Sequence, residues 1–459
     1  MMRNARNSEF GLINGFALTK RLIVSLRRRI LILVDDGVPD IEIVARARAA
    51  VRNVSRSYSL MLRFRILLAL ELAIFSTIPV RRPALSLAAI CIAALFIAGI
   101  GSTQFQSTLV ASEPALKRPT TLTMNPSGRL AWQRYKDRFI EPSGRVIDTG
   151  NANISHSEGQ GYAMILAVSA DDELAFDRIW QWTRQNLMIR ADGLLSWRWS
   201  PTSNPPITDT NNASDGDLLV AWALAEAGSR WTKYDYTSAS RTLALAIGKR
   251  LLVVMGGRHL LIPGAAGFSA KERLDGSVVN LSYWVFPALL RLSDVAPEVH
   301  WAKLSETGIN LLSQAAFGPH KIPSDWLAIT TDGLKPAQGF ATVFGHDSIR
   351  IPLYLIWAGH HDHVLIKRLY TTWTKLSIFA TIEVETGIAL WRFRAPGYNV
   401  IKQLIDATIS TACPSVQFYE PSAEEDYYPA TLALLANVAS EALRLQSDDR
   451  CRNGVIGQS

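Results

Sequence analysis

The chain has few cysteines and none of the cysteine patterns that build metal centres. Only Cys91, Cys413 and Cys451 occur among its 459 residues. None stands at the short spacing of a zinc or haem motif, so neither a metal nor another cofactor is expected. Cys413 and Cys451 can pair if this part of the chain enters an oxidising compartment, and otherwise both are free thiols.

Alternating β-branched segments are also scarce, whereas helix-period apolar runs recur after about residue 125. Clusters of Gly, Pro, Asn and Asp separate them. The predicted helical runs are Leu174–Leu187, Leu218–Ala227, Ser238–Val254, Tyr283–Leu292, Trp301–Ala316, Ser348–Ala358, Val364–Ala380 and Tyr428–Leu445. This density predicts an all-α body of about twelve helices in roughly 320 residues, arranged as two-helix units that close into a double ring. The inner helices of such a ring all point the same way, so side chains at their N-termini converge on one rim.

The basic residues are concentrated in the N-terminal region. Residues 1–120 hold 17 Lys and Arg against 7 Asp and Glu, whereas residues 121–459 hold 31 against 33. The net charge of +8 is therefore the sum of +10 and −2. A body that is close to neutral argues against a groove that follows nucleic-acid phosphates, so a nucleic-acid partner is excluded.

Tryptophan is missing from the first 120 residues, and all 13 tryptophans follow them. Flat indole rings are suited to stacking on sugar rings, but they also fill helical cores. The sequence alone leaves both uses open.

A long uncharged apolar run stands near the N-terminus. Residues 84–100 follow Arg81-Arg82, and the run is about long enough to span a bilayer. The two arginines predict a cytoplasmic N-terminal side and export of everything downstream, to the periplasm or the medium. The segment 81–103 is either an uncleaved inner-membrane anchor or a signal. A buried core helix is less favoured because no polar face interrupts the run.

The expected organisation of the rest follows from these boundaries. Residues 1–80 form a basic region to which the sequence gives no role. Residues 104–122, rich in Ser, Thr and Pro, are a linker. Residues 123–447 form the helical domain, and residues 448–459 are a C-terminal tail.

Three short blocks place a carboxylate at the start of a predicted helix. They are Ser-Glu-Gly-Gln-Gly-Tyr at 157–162, Ser-Asp-Gly-Asp-Leu at 214–218 and His-Asp-Ser-Ile-Arg at 346–350. Two carboxylates with a third as helper are what hydrolysis of a glycosidic bond requires. The glycines beside Glu158 are expected to let a bulky substrate approach the backbone.

In this order and spacing the blocks resemble glycoside hydrolase family 8, whose members include the endoglucanases of bacterial cellulose-synthesis systems. Supporting stretches lie at 176–183, 195–199 and 426–431, and the resemblance covers about residues 122–445. It implies an (α/α)6 barrel of six inner and six outer helices. It also implies inverting hydrolysis of β-1,4-glucan, with cellulose or nascent glucan as substrate and a cellulose-synthesis complex as a candidate partner.

The resemblance also implies three catalytic roles. Glu158 matches the family's general acid, which must keep a proton at neutral pH and so needs a raised pKa, although a helix N-terminus favours the anion. Asp347 matches the base that deprotonates the attacking water, and its plain alternative is an N-cap. Asp215 matches the carboxylate that grips the distorted sugar. His346 departs from the aromatic residue usual before the base.

Six further residues are candidates for contact with the substrate. Trp197 and Trp199, two apart in an extended segment, are expected to face one side and pave a cleft. Asp217 is either a substrate contact or only a helix cap, and Arg350 either orients Asp347, touches the sugar or is a solvated charge. Tyr283 and Tyr428 complete the set.

Other functions are weighed against the cellulase hypothesis. Mixed-linkage β-glucan, xylan and chitosan are the alternative substrates, and chitosan is less favoured because the body lacks a strong negative charge. A non-catalytic glucan-binding subunit of an envelope polysaccharide machine is a different class. The presence of both Glu158 and Asp347 argues against it.

Overall fold

The computed structural model describes residues 122–330, 332–410 and 417–455, with side chains as far as Leu445. In this part of the chain there are eleven α-helices. They are α1 Pro126–Phe139, α2 Ser157–Ala170, α3 Glu173–Asn186, α4 Ser214–Arg230, α5 Tyr234–Arg250, α6 Phe286–Val295, α7 Trp301–Gln314, α8 Ile351–Trp357, α9 Val364–Leu376, α10 Pro396–Ser410 and α11 Tyr427–Val455. Short 3-10 turns at Leu281–Tyr283 and Ser348–Arg350 precede α6 and α8.

Local sequence determines which helices are fully enclosed and which have one buried face. In α2 every residue from Gly159 to Ala170 is buried, because the helix is made of small and apolar residues on all sides. In α3 burial is confined mainly to Ala175, Phe176, Ile179, Trp180, Trp182 and Thr183. Asp172 caps α3 by accepting a hydrogen bond from the Ala175 N–H. The first pattern is typical of an inner helix and the second of an outer one.

Six helices form a closed inner ring. Helix α2 packs against α4, α4 against α6, α6 against α8, α8 against α10, α10 against α11, and α11 against α2. The last residue of α1, Phe139, contacts Tyr427 at the start of α11, so α1 runs antiparallel to its inner neighbour. This confirms the predicted double ring.

The outer layer differs from the expected count. In the described residues it contains five helices, α1, α3, α5, α7 and α9. The sixth would stand between α10 and α11, where the described residues 417–426 form no helix. This stretch contains Pro421 and few apolar residues that could form a buried stripe.

Most helix boundaries follow the predicted runs within about four residues, but α11 ends at Val455, ten residues beyond the predicted Leu445. The run Ser238–Val254 is observed as Tyr234–Arg250, because Leu252–Met255 instead pairs with Arg258–Leu261 in a hairpin. Gly256 and Gly257, both with positive φ, make the turn of this hairpin. The sequence analysis also missed α1 and α10.

The described residues also form four small antiparallel sheets. The strands are β1 Ser155–His156, β2 Arg198–Trp199, β3 Leu252–Met255, β4 Arg258–Leu261, β5 Ser277–Asn280, β6 Trp326–Thr330, β7 Gly333–Pro336, β8 Val343–Phe344, β9 Ala380–Glu383 and β10 Ala389–Arg392. They pair as β1–β2, β3–β4, β5–β6–β7 and β8–β9–β10. Asn280 ends β5, and β8 ends two residues before His346, so these sheets deliver residues to the same end of the ring.

Glycines set the close contact between α2 and α4. A Cβ on Gly216 would lie 2.1 Å from Ser157 Oγ and 2.8 Å from the Glu158 nitrogen, and one on Gly161 would lie 2.6 Å from Leu219 Cβ. A Cβ on Gly159 would lie 2.8 Å from the Tyr427 hydroxyl. The expectation that Gly159 and Gly161 give a substrate access to the backbone is therefore wrong. They allow inner helices to approach each other.

Most tryptophans are buried in the hydrophobic core. Eight of the 13 are buried, namely Trp132, Trp180, Trp182, Trp222, Trp284, Trp301, Trp357 and Trp373. At most five are thus available as sugar platforms.

Several expectations about the chain ends fall partly or wholly outside the described residues. These are the 1–80 region, the membrane or signal segment at 81–103, nearly all of the linker, and Cys413. Of the helices that the structure describes, none is long and apolar enough to cross a membrane. Helix α11 continues to Val455, so it passes through the expected boundary at 447.

The contact between α2 and α4 leads to a stability prediction. Gly216→Ala should lower the free energy of unfolding by about 1–3 kcal/mol, because the new methyl group overlaps Ser157 and the Glu158 backbone. Gly150→Ala is the control, since its Cβ would lie no closer than 3.6 Å to a neighbour. Urea unfolding of both variants measures the difference. Equal midpoints for the two would contradict the close packing.

Candidate active site

One cavity of about 270 Å³ lies where the inner helices begin. Its walls bring together residues that are far apart in sequence. They include Asp148, Asn151, Ile154, His156, Ser157, Glu158, Trp197, Ala213, Asp215, Tyr283, His346, Asp347, Arg350 and Tyr428. All three predicted catalytic carboxylates therefore line the same space, as convergence of the inner helices requires.

Arg350 is the central cation of this site. Its side chain is 2% exposed and contacts Glu158 Oε1 at 2.6 Å and Asp215 Oδ2 at 2.7 Å. It also donates hydrogen bonds to the Tyr162 hydroxyl and to Ser282 Oγ, and its guanidinium lies 5.5 Å from the centre of the Tyr283 ring. Arg350 is thus neither a solvated charge nor hydrogen-bonded to Asp347.

Glu158 occupies the first turn of α2 and is 20% exposed. Burial alone would raise the pKa of its carboxyl, but the charges of Arg350 and His156 and hydrogen bonds from Arg350 and Tyr162 hold the pKa below its ordinary value. The raised pKa expected of a general acid is therefore not found for Glu158. Arg350 lies far from Glu158 in the sequence. The spacing of residues around Glu158 therefore did not indicate that an arginine would lower its pKa.

Asp215, in the first turn of α4, behaves in the opposite way. Its side chain is 1% exposed. Burial, together with the negative charge of Glu158, outweighs the attraction of Arg350 and raises the pKa of Asp215 to about 7. Burial therefore outweighs the charge of Arg350 at Asp215, whereas at Glu158 the charges of Arg350 and His156 together with the hydrogen bonds outweigh burial.

Asp347 directly precedes the 3-10 turn that leads into α8. Its side chain makes no capping hydrogen bond, so the N-cap alternative is wrong. Instead Asp347 Oδ2 accepts a hydrogen bond of 2.8 Å from Asn280 Nδ2. Burial raises the pKa of Asp347 above its ordinary value despite the nearby charge of Arg350.

The loop that carries Asp347 is held by a second buried carboxyl, Asp325. Asp325 Oδ1 accepts hydrogen bonds from the backbone N–H groups of Gly345 and Ser348, at 2.8 and 3.2 Å. Burial and the negative charge of Asp347 raise the pKa of Asp325 to about 7. Neither Asn280 nor Asp325 was found by sequence reasoning, because each acts on Asp347 from a strand or loop remote in sequence.

Two histidines flank the carboxylates. His156 caps α2, since its Nδ1 accepts a hydrogen bond from the Gly159 N–H at 2.9 Å, which leaves Nε2 facing Asp148 Oδ2 at 3.3 Å. The ring of His346 packs edge-on against Phe393, with ring centres 5.2 Å apart. His346 thus occupies an aromatic environment, where burial lowers its pKa and favours the neutral ring.

The candidate substrate contacts divide into two groups. Trp197, Tyr283 and Tyr428 line the cavity, and the Tyr428 hydroxyl donates a hydrogen bond to the His346 carbonyl. Trp199 does not face the same side as Trp197. Its ring packs edge-on against Trp182 and beneath the guanidinium of Arg145. The prediction that Trp197 and Trp199 face one side assumed that both lie in one strand. In the structure β2 begins only at Arg198, so Trp197 lies outside it.

Asp217 also lies away from the cavity and is fully buried. It accepts hydrogen bonds from the Leu195 N–H at 2.8 Å and from Asn212 Nδ2 at 2.7 Å. These bonds join the start of α4 to the segment that carries Trp197. A structural role therefore replaces the predicted contact with substrate.

The family model for glycosyl hydrolases family 8 matches residues 111–442. The endoglucanase of Cellulomonas uda is 40% identical over 278 residues, which are 60% of this chain and 76% of that protein. A probable endoglucanase of Novacetimonas hansenii is 36% identical over 317 residues, 67% of this chain and 89% of its own length.

A solved structure agrees with these matches. The family 8 endo-β-1,4-glucanase from an Achatina fulica gut metagenomic library has a TM-score of 0.63 and 37% identity, covering 68% of this chain and 97% of that one. Residues 111–442, which the family model matches, include the N-terminal ends of all six inner helices and the cavity at their rim. The chain belongs to glycosyl hydrolase family 8.

Proposed function

We propose that this protein is an endo-β-1,4-glucanase that cleaves cellulose or nascent β-glucan with inversion at the anomeric carbon. The observation that carries the proposal is the single cavity that gathers Glu158, Asp215 and Asp347 around one buried arginine. Its relatives named endoglucanase support the reaction type. Inversion is general in this family.

In the proposed mechanism Glu158 donates a proton to the departing glycosidic oxygen while Asp347 removes one from the attacking water. An inverting site must leave room for that water between the base and the anomeric carbon. Asn280 donates to one oxygen of Asp347, which leaves the other free to accept the water proton. The raised pKa of Asp347 makes it a stronger base than an ordinary aspartate.

Arg350 affects the acid in two opposing ways. It lowers the population of protonated Glu158 before reaction, since its charge favours the anion. It also stabilises the carboxylate that Glu158 becomes once the proton has left, and this effect grows along the reaction. Asp215, which shares Arg350, is the group proposed to bind the distorted sugar.

Other β-linked polysaccharides are the alternative substrates within the same mechanism. Mixed-linkage β-glucan and xylan have backbones that the same carboxylates can cleave. Chitosan is cationic, and residues 121–459 supply only two more acidic than basic side chains, 33 against 31. β-1,4-Glucan is therefore the substrate that we propose.

The substrate and the catalytic roles can be tested together. Wild-type protein should release reducing ends from carboxymethylcellulose faster than from lichenan, xylan or chitosan. Glu158→Gln and Asp347→Asn should each lower kcat by roughly 10²–10⁴-fold, because each removes one proton transfer. Asp235→Asn, on an exposed surface of α5, is the matched control and should keep full activity. Near-normal kcat for either cavity variant would require another acid or base.

The charges in the site also predict the pH dependence. Glu158 must be protonated and Asp347 ionised in the active form. Because the pKa of Glu158 is lowered and that of Asp347 is raised, few molecules hold both forms at once, so kcat/KM should pass through a maximum at acidic pH and fall above the higher of the two pKa values. Arg350→Gln should move the falling limb to higher pH, with circular dichroism as the check on folding. A falling limb of Arg350→Gln at the same pH as that of the wild type would contradict the lowering of these pKa values by Arg350.

The protein is further proposed to act outside the cytoplasm, possessing an N-terminal membrane anchor or signal at 81–103, and to serve a cellulose-synthesis complex. The support is the apolar run after Arg81-Arg82 and the likeness to endoglucanases. The expected domain limits of 123–447 and the sugar-contacting roles of Trp197, Tyr283 and Tyr428 belong to the same proposal.

Export can be measured directly. Alkaline phosphatase fused after residue 120 should be active, because this enzyme needs an oxidising compartment for its disulfides. A fusion that starts at residue 104 and lacks the apolar run is the control and should be inactive. Equal activity of the two fusions would contradict export by this segment.

A further inference from the structure

Trp391 is the most exposed tryptophan that the structure describes. Its side chain is 69% exposed, whereas eight of the other tryptophans are buried. Two apolar neighbours on the same hairpin, Ile388 and Leu390, are 59% and 44% exposed. A solvent-facing indole with apolar neighbours is typical of a surface that binds a ligand.

The sheet places this ring beside the catalytic loop. Strand β10 carries Trp391 and pairs with β9, and β9 pairs with β8, which runs directly toward His346 and Asp347. Two strand spacings amount to about 10 Å. Two residues after Trp391, the ring of Phe393 contacts that of His346, with centres 5.2 Å apart. The hairpin thus continues from the cavity wall at His346.

The backbone keeps Trp391 in place without burying its ring. Thr381 Oγ1 accepts a hydrogen bond of 3.0 Å from the Trp391 N–H. The pairing of β9 with β10 shifts register between Ala389 and Arg392, as at a β-bulge. Irregularities of this kind redirect side chains near functional sites. The ring is therefore presented from a fixed strand, and the fold does not use it for core packing.

A polymeric substrate must extend beyond the cavity. The enclosed space is about 270 Å³, near the lower limit for a small-ligand pocket, whereas an endo-acting enzyme binds a chain that continues on both sides of the cleaved bond. A strand of β-glucan that leaves the cavity past His346 would meet the β10 hairpin next.

We propose that Trp391 is a stacking platform that binds a glucose unit of the β-glucan chain outside the catalytic cavity. The apolar face of the sugar ring covers the indole, as apolar groups cover aromatic rings in other complexes. The proposal rests on the proposed function, since it commits to the same polysaccharide. Binding of a glucose unit gives a role to the exposed indole of Trp391, which neither packs in the core nor lines the catalytic cavity.

Three variants test the platform. Trp391→Ala should raise KM for carboxymethylcellulose by about 2- to 12-fold, which is the range for loss of one stacking contact of about 0.5–1.5 kcal/mol. Trp391→Phe should retain most of the affinity, because a flat ring remains. Tyr234→Ala is the control, since Tyr234 is 81% exposed and starts α5, and the residue before it, Lys233, pairs with Glu173 at the start of α3, away from the cavity. KM for cellotetraose should stay at the wild-type value in all three.

The outcomes separate the possible errors. An unchanged KM of Trp391→Ala for the polymer, or an equal loss in Trp391→Phe, would overturn the platform. If Trp391→Ala instead changes the molar mass in light scattering, the surface binds a second copy of the chain and the proposal is also wrong. Wild-type protein that releases no reducing ends from any β-glucan would refute the proposed function itself. Unchanged thermal unfolding of Trp391→Ala confirms that the comparison reports on binding.

Discussion

The site depends on one buried interaction, the guanidinium of Arg350 shared between Glu158 and Asp215. Taking a guanidinium out of water costs several kcal/mol, and the cost is recovered only where charged and polar partners surround it. Here two carboxylates, two hydroxyls and the face of Tyr283 do so. Loss of Arg350 would leave Glu158 and Asp215 buried side by side without a cation, so the arginine holds both carboxyls in position.

This interaction is possible only because the N-terminal ends of three inner helices meet. Glu158 lies in the first turn of α2, Asp215 lies in the first turn of α4, and Arg350 stands directly before α8. Gly216 brings α2 and α4 close enough for their carboxylates to share one cation. Asp325 and Asn280, which lie outside the ring of inner helices, hold Asp347 in position. Asn280 bonds to its side chain, and Asp325 bonds to the backbone on either side of it. Helix packing, and not any single loop, therefore sets the catalytic geometry.

Sequence reasoning predicted the double ring and singled out three carboxylates that the structure brings to one cavity, since helical periodicity and residue blocks are local signals. It could not find which charges meet. The lowered pKa of Glu158 comes from Arg350, which is 192 residues away, and the contact with Asn280 comes from a strand. Trp199 and Asp217 were misplaced for a related reason. Their spacing was compatible with the cavity, but Trp182, Arg145 and Leu195, which hold them elsewhere, are visible only in the fold.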